Sequence, residues 1–280
     1  MEKSEISKLK QVAVDLRYLI LKTTYTAGAG HTGGSLSMVE IMTGLYFKVM
    51  DIDPEQPLME GRDRFILSKG HSTPGYYSTL ALRGFFPKSE LLTFDQVGSI
   101  LQAHPDMHKC PGVDYSTGSL GQGLSIGIGM ALGGEAAGKR FNTFVLLGDG
   151  ESQEGQVWEA AMYAGSNKVR RLIAIVDYNK VQLAARTAET LDLEPLDQKW
   201  KAFNWTVLQC NGNKIEEVLS SLDQAVLLSQ KGPVVILAHT IKGKGISFME
   251  DRFEWHGKAP NKEELTRALV ELGCQEREGL

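Results

Sequence analysis

Two short apolar segments joined by a stretch with helical spacing constrain the fold of this chain most strongly. Residues 144–147 form an apolar run too short for a helix, which ends in the glycine-rich turn at 148–151. Residues 172–176 form a second apolar run, which ends in Asp-Tyr-Asn at 177–179. The order strand, helix, strand predicts two parallel strands of an α/β sheet with a right-handed crossover.

Polar side chains follow both predicted strands at the point where each strand ends. Asp149 comes just after the first strand and Asn179 just after the second. In open α/β sheets this edge is where ligands bind. One carboxylate, one amide oxygen and a nearby main-chain carbonyl suit Mg²⁺ when phosphate oxygens complete its coordination. A Gly-Asp-Gly sequence is also an ordinary turn, and the tripeptide alone does not decide between the two interpretations.

Length and composition describe an ordinary globular chain and exclude one class of partner. The 280 residues suffice for one large α/β domain or two small ones, with 42% hydrophobic and 23% charged residues. A net charge of −4 gives no electrostatic footprint for nucleic acid.

The cysteines and the N-terminal sequence predict a soluble cytoplasmic protein. Cys110, Cys210 and Cys274 are far apart and lack metal-ligand spacing, so we expect reduced thiols. The first residues contain no apolar signal core, and no apolar run approaches the length of a membrane span. We therefore expect no contact with a membrane.

Four further segments place a histidine beside glycine or proline, after a predicted helix or strand or in a polar stretch. The histidines are His31, His71, His104 and His256. Each of them could equally be a surface residue in a turn. A fifth segment, 117–123, opens a predicted helix at 120–138, in which Gly123, Gly127, Gly129 and Gly133 would each cost about 1 kcal/mol by propensity. Such a helix is expected to pack very closely against a neighbouring element or subunit.

Taken together, these motifs resemble the transketolase family. Gly148-Asp149-Gly150, followed by Asn179, is similar to the thiamine diphosphate motif, and residues 148–155 with 178–180 resemble transketolase more narrowly. Residues 63–71 are nearly that family's own signature. The chain departs from the family pattern at Thr32, where Gly-His-Pro-Gly has proline, and at Ala103, where Gly-His-Pro has glycine.

The resemblance implies a fold class and a division of domains. The fold is α/β, a three-layer thiamine diphosphate-binding fold with a central, mostly parallel sheet flanked by helices. Residues 1–280 would form a single diphosphate-binding domain. The pyrimidine-binding and C-terminal domains of the family are expected on a separate chain.

The resemblance also implies a set of site residues. The metal, Mg²⁺ or another divalent cation such as Ca²⁺ or Mn²⁺, would be held by Asp149, Asn179 and the carbonyl of Val181. The catalytic residues would be His31, His71, His104 and His256. The residues that bind thiamine diphosphate would be His71, Gly118, Ser119, Leu120, Gly148, Asp149, Gly150, Glu151, Asn179, Leu183 and His256. Lys242–Gly245 lacks the spacing of a phosphate loop and is interpreted as a turn.

The implied activity needs a second chain. A two-carbon ketol unit would pass from a ketose phosphate to an aldose phosphate, and the histidines would orient hydroxyls and move protons with a pKa near the unperturbed 6.5. A separately encoded C-terminal transketolase subunit would supply the glutamate that activates the cofactor and the arginines that grip the substrate phosphate. Glu154 and Glu159 would lie at the interface of an α2β2 assembly.

Two alternatives share some of these features. The α subunit of a two-oxoacid dehydrogenase has the same metal motif and split architecture, but the four histidine segments favour transketolase. A domain that binds cofactor or partner without catalysis is the second alternative, and the intact site residues argue against it.

Overall fold

The computed structural model describes residues 3–275, which form an α/β fold around one parallel sheet. Its five strands are β1 (Arg64–Leu67), β2 (Thr143–Gly148), β3 (Leu172–Tyr178), β4 (Thr206–Asn211) and β5 (Val234–His239). Their spatial order is β1-β2-β3-β5-β4, and every pairing is parallel. None of the helices within the described residues is long and apolar enough to cross a membrane.

Ten α-helices and a few shorter turns surround the sheet. They are α1 (Lys3–Ala27), α2 (Thr32–Ser37), α3 (Val39–Gly44), α4 (Thr73–Arg83), α5 (Gly123–Ala136), α6 (Gly155–Ser166), α7 (Thr187–Thr190), α8 (Leu196–Ala202), α9 (Ile215–Leu228) and α10 (Lys262–Glu271) within residues 3–275. A π-helical turn, Leu45–Val49, follows α3. A capping box starts α10, where Asn261 and Glu264 exchange side chain to main chain hydrogen bonds.

The inner strands β2, β3 and β5 are largely apolar because the sheet is covered on both faces there, whereas the edge strand β4 is mostly exposed or half-buried. Alternate residues point to opposite faces, so Phe144 and Leu146 join the core beneath α1, α4 and α9, whereas Val145 and Leu147 join the core beneath α5, α6 and α8. All seven residues of β3 are buried. Continuous apolar strands of this kind are typical of parallel sheets between two helical layers, and the predicted three-layer class is confirmed.

The strand register brings the candidate site residues together. β2 pairs with β3 so that Gly148 lies opposite Asp177, and β3 pairs with β5 so that Tyr178 lies opposite His239. The carboxyl ends of three strands therefore meet at one edge. Asp149 and Asn179 lie just beyond that edge, as the strand–helix–strand pattern predicts.

Two segments differ from what the sequence predicts, which is one helix at 37–50 and an irregular segment at 181–203. The first helix begins earlier, because α2 starts at Thr32, directly after His31, and it breaks at Met38 before continuing as α3. The segment 181–203 contains α7 and α8. Leu196 and Trp200 of α8 are buried, and this tertiary packing stabilises a helix that is too short to form alone.

Helix α5 places two of its glycines against the sheet and two in open space. A Cβ at Gly123 would lie 2.3 Å from Ser68 Oγ, and one at Gly127 would lie 2.4 Å from Val145 Cγ2. A Cβ at Gly129 or Gly133 would meet nothing within 4 Å. The expected close packing is thus confirmed for the first pair, and no contact among residues 3–275 requires glycine at the second.

We predict that Gly127→Val lowers the free energy of unfolding by at least about 1–3 kcal/mol, because the added methyl groups overpack the helix–sheet contact. Gly129→Val on the same helix is the matched control and should be neutral or slightly stabilising. Urea unfolding of the two variants measures the difference. Equal stability would contradict the close contact of α5 with β2.

Candidate active site

A cavity of about 550 Å³ lies at the carboxyl edge of the sheet. It opens where β2, β3 and β5 end, in agreement with the position of ligand sites in open α/β sheets. It collects most of the predicted site residues, namely His31, His71, His104, Gly118, Leu120, Gly148, Asp149, Gly150, Glu151, Glu154, Asn179, Val181, Leu183 and His256.

Asp149 presents a buried carboxylate at one side of this cavity. It is 2% exposed and accepts hydrogen bonds from the main-chain N–H groups of Gly150, at 2.7 Å, and Lys180. Burial, reinforced by the nearby Asp177 carboxylate, raises the pKa of Asp149 to about 7. A cation bound beside this oxygen would offset the cost of burying its negative charge.

Asn179 and Val181 supply two further oxygens next to Asp149. The side-chain oxygen of Asn179 accepts a hydrogen bond from Val181 N at 3.0 Å, which holds the amide in place. The Val181 carbonyl points towards Lys242, whose Nζ lies 2.9 Å away. Within residues 3–275 no group of three His, Cys, Asp or Glu side chains is placed to hold a metal, so a cation here would depend on this mixed set. Such a set of hard oxygens fits Mg²⁺ together with phosphate oxygens.

A buried ion pair connects three segments behind the cavity. Lys69, which follows β1, places its Nζ 2.6 Å from an Asp177 carboxylate oxygen and 2.7 Å from the carbonyl of Gly34. Hydroxyl groups of Ser37 and Thr240 donate to the same carboxylate. Burial alone would raise the pKa of Asp177, but the ammonium and the hydroxyl donors overcome it and lower that pKa. The pair therefore fixes β1, β3 and the start of α2 relative to one another.

Glu151 is a second buried anchor. Its carboxylate accepts hydrogen bonds from Ser68 Oγ at 2.5 Å, from Gly121 N at 2.9 Å and from Gly148 N at 3.0 Å. Burial raises its pKa above the ordinary value. Glu151 thus joins the end of β1, the segment before α5 and the turn after β2, which shapes the cavity wall.

Three imidazole rings lie together in the same cavity. Their centroids are 4.9 Å apart for His31 and His71, 5.2 Å for His31 and His256, and 5.0 Å for His71 and His256. They come from segments that are distant in sequence, before α2, after β1 and before α10. His104 also lines the cavity, with its ring against Gly118, where a Cβ would approach it to 3.1 Å.

The electrostatic surroundings keep these rings neutral. Burial lowers the pKa of His31, His71 and His256, and nearby Lys69 or Lys242 lowers it further, to about 3 for His256. The expectation of an unperturbed pKa near 6.5 is therefore wrong for these three. Desolvation and two ammonium groups both disfavour the imidazolium form.

Lys242 fixes the tautomer of His256. Its Nζ lies 2.8 Å from His256 Nδ1, and an ammonium group can only donate, so Nδ1 accepts. Neutral His256 must then carry its proton on Nε2. Burial and the charge of Lys69 lower the pKa of Lys242 to about 8, so it is still mostly protonated at pH 7.

The remaining predicted residues occupy the rim or lie outside the cavity. Leu120 and Leu183 line it with 36% and 67% of their surface exposed. Ser119 is exposed and is not part of the lining. Glu154 lies at the rim, whereas Glu159 is an exposed residue farther along α6 that does not line the cavity.

Sequence reasoning missed two lysines and one aspartate. The sequence predicts that Lys69 shapes a turn after β1 and that Lys242 lies in another turn, and it gives Asp177 no role, yet all three line the cavity and are at most 3% exposed. The signal that could have found these three residues is that each lies close to the carboxyl end of a strand. Each lies at, or within three residues of, the end of β1, β3 or β5, at the same sheet edge as Asp149.

Comparison with known proteins identifies the family. The family model of the transketolase thiamine diphosphate-binding domain matches residues 8–279. The chain belongs to the transketolase family. It is 44% identical over 279 residues to the 6-deoxy-6-sulfo-D-fructose transketolase subunit SqwG of Clostridium sp. (strain MSTE9), covering 100% of both chains. It is also 44% identical over 263 residues to an apulose-4-phosphate transketolase subunit of Actinobacillus succinogenes, covering 94% of each.

Solved transketolases share the fold and extend beyond it. The Campylobacter jejuni enzyme superposes with a TM-score of 0.90 at 28% identity, over 98% of this chain and 44% of that one. The chain thus spans less than half the length of these transketolases. Two relatives that are named as transketolase subunits are matched over 100% and 94% of their own length. The chain is therefore the N-terminal subunit of a split transketolase. Its activity belongs to a two-component enzyme. The two-oxoacid dehydrogenase alternative is not favoured.

We predict that Lys69→Met lowers the free energy of unfolding by about 3–5 kcal/mol, because it leaves the Asp177 carboxylate buried without its counter-ion. The double variant Lys69→Met with Asp177→Asn should recover part of that loss. Lys201→Met, which breaks an exposed helical pair with Asp197, is the control and should cost at most about 1 kcal/mol. Urea unfolding compares them, and similar losses for both lysines would contradict the anchoring role.

Proposed function

We propose that this chain holds the diphosphate of thiamine diphosphate through Mg²⁺ and contributes the histidine side of a ketol-transferring active site. The observation that carries the proposal is the single cavity that joins both halves. Asp149, Asn179 and Val181 line it together with the neutral rings of His31, His71 and His256.

The donor set supports the cation and the diphosphate. Asp149, Asn179 and Val181 offer hard oxygens, and the buried carboxylate of Asp149 gains most from a divalent charge beside it. The ammonium of Lys242, 2% exposed and facing the same cavity, suits a phosphate oxygen. Ca²⁺ or Mn²⁺ could take the same ligands. Gly118, Leu120, Gly148, Gly150 and Glu151 line the same cavity, and Ser119 stays a prediction beside them.

The histidines are suited to hydroxyl groups. Thiamine diphosphate supplies the carbanion chemistry that breaks and forms the carbon–carbon bond next to a ketose carbonyl. Neutral imidazoles can donate from one nitrogen and accept at the other, so His31, His71 and His256 can orient the sugar hydroxyls and transfer a proton between them. His256, protonated on Nε2, presents a donor. His104 at the exposed rim is placed to meet the substrate as it enters.

The names of two relatives support a proposal for the substrate class. Their names specify a sulfo-sugar in one case and apulose 4-phosphate in the other, both sugars that carry an anionic group. We propose a ketose donor with such a terminal group and an aldose acceptor. The groups that bind the terminal anion are expected on the partner chain, together with the pyrimidine-binding and C-terminal domains.

A partner surface beside the cavity supports a two-chain assembly. Leu120 and Leu183 are exposed at the cavity rim, and Met162 and Tyr163 are 54% and 49% exposed on α6. Helix α5 packs on α6 and is apolar, with Gly129 and Gly133 facing open space. We propose that a second copy of this chain and a C-terminal transketolase subunit cover this region in an α2β2 assembly, with Glu154 and Glu159 at the interface. The cytoplasmic location stays a prediction.

Reconstitution tests the proposed function. This chain by itself, its C-terminal partner by itself and their mixture are assayed with thiamine diphosphate and Mg²⁺ for ketol transfer to ribose 5-phosphate. Xylulose 5-phosphate, 6-deoxy-6-sulfofructose and apulose 4-phosphate serve as donors in parallel. We expect activity in the mixture only. Oxidative decarboxylation of a 2-oxoacid with a lipoyl acceptor, and no ketol transfer, would overturn the proposal.

We predict that Asp149→Ala removes the Mg²⁺ dependence of cofactor binding. Calorimetric titration of the two-chain complex with thiamine diphosphate, in Mg²⁺ and in EDTA, should show an affinity loss of more than about tenfold in Mg²⁺ for the variant. Asp223→Ala, at an exposed position on α9, is the control and should bind as the unmodified chain does. Wild-type affinity in Asp149→Ala would refute the metal ligand.

We also predict that Gly129→Val weakens assembly while leaving the chain as stable as before. The side chain would project into space that this chain leaves open and a neighbouring chain is proposed to fill. Sedimentation velocity of the mixture measures the change. Ser220→Val, exposed on α9 beneath the opposite face of the sheet, is the control. Undiminished assembly of Gly129→Val would place the interface elsewhere.

A further inference from the structure

Thr32 joins two segments that carry active-site histidines. It is the first residue of α2, directly after His31, and is 0% exposed. Its hydroxyl donates to the main-chain carbonyl of Lys258 at 2.8 Å, across 226 positions of the chain. Lys258 follows His256 by two residues. The hydrogen bond therefore connects the segment of His31 directly to the segment of His256.

The two segments are in close contact around this hydrogen bond. Gly243 N, on the loop that carries Lys242, donates to the Gly33 carbonyl at 3.0 Å. A Cβ at Gly33 would lie 2.8 Å from the carbonyl oxygen of Trp255, so the backbones approach as closely as glycine allows. A Cβ at Gly257 would lie 3.8 Å from His31 Nε2. A small shift of one segment therefore changes the distance between the His31 and His256 rings.

The acceptor side of this hydrogen bond is held firmly. Lys258 Nζ lies 2.5 Å from Glu264 and 4.2 Å from the centre of the Trp255 ring. Glu264 belongs to the capping box that begins α10. The Thr32 hydroxyl thus connects the start of α2 to a segment that the start of α10 already fixes.

The residue type matters because the family pattern has proline at this position. Proline fits the first position of a helix and fixes its own backbone, but it has no hydroxyl to donate. Threonine leaves the backbone freer and adds a hydrogen bond to a remote segment. Proline would restrain His31 through the backbone of its own loop. Threonine restrains it through a hydrogen bond to the segment of Lys258.

We propose that Thr32 is a positioning residue, which sets the separation of the His31 and His256 rings through its hydrogen bond to the Lys258 carbonyl. The consequence for ketose binding rests on the proposed function. The hydrogen bond itself does not, and it can be tested without any assay of ketol transfer.

The first experiment follows the imidazole resonances by NMR in the full chain labelled at its six histidines. Thr32→Val keeps the shape of the side chain and removes the donor, Thr32→Pro installs the family residue, and Thr32→Ser keeps the hydroxyl. We expect the His31 and His256 signals to move in the valine and proline variants and to stay in place in the serine variant. His108, which is exposed, and His239, which bonds Gln209, should not change in any variant.

The second experiment measures steady-state ketol transfer by the two-chain complex. Loss of one hydrogen bond predicts a rise of about fivefold in the KM of the ketose donor for Thr32→Val and Thr32→Pro, with kcat changed less, and under twofold for Thr32→Ser. Thr79→Val removes another fully buried threonine hydroxyl, which bonds Gly75 within α4, and should leave KM unchanged.

Each outcome tests either the positioning role of Thr32 or its consequence for ketose binding. Unmoved His31 and His256 signals in Thr32→Val, or equal shifts in Thr32→Ser, would overturn the positioning role whatever the assay shows. Shifted signals with an unchanged KM would overturn its link to the ketose. A complex without ketol transfer would overturn the proposed function and leave the NMR result standing.

Discussion

The ammonium of Lys69 and the carboxylate of Asp177 lie 2.6 Å apart in the interior, and the arrangement of the site depends on that contact. Lys69 follows β1, Asp177 lies in β3, and the same lysine holds the carbonyl of Gly34 in α2. A buried charge without its partner costs several kcal/mol, so neither residue can move away from the other. The pair thereby fixes the edge of the sheet relative to the segment that carries His31.

Around this pair, two ammonium groups determine how the rest of the site behaves. Lys69 and Lys242 lie behind His71 and His256, and their charge adds to burial in lowering the pKa of both rings. A site built in this way disfavours extra positive charge and favours an anion or a buried carboxylate such as Asp149. The cavity thus combines neutral histidines with a buried carboxylate, Asp149, whose pKa is raised to about 7.

Leu120 and Glu154, which line the cavity, lie just before α5 and α6, and the glycines of α5 fall into two groups. Two of its glycines are required by contact with Ser68 and Val145, whereas two others face open space. Glycine in an exposed helix costs stability, so the second pair is best explained by a neighbouring chain. Leu120 and Leu183 are likewise exposed, at the cavity rim.

The sequence by itself determined the strands, the order strand–helix–strand and the place of Asp149 and Asn179. Short apolar runs with polar residues at their ends are local signals, and parallel pairing aligns those ends. It did not determine the roles of Lys69, Lys242 and Asp177, the lowered pKa of the histidines, or the bond from Thr32 to Lys258. Those depend on which residues burial and register bring together across as many as 226 positions. Desolvation and charge proximity are properties of the folded arrangement, and no local pattern encodes them.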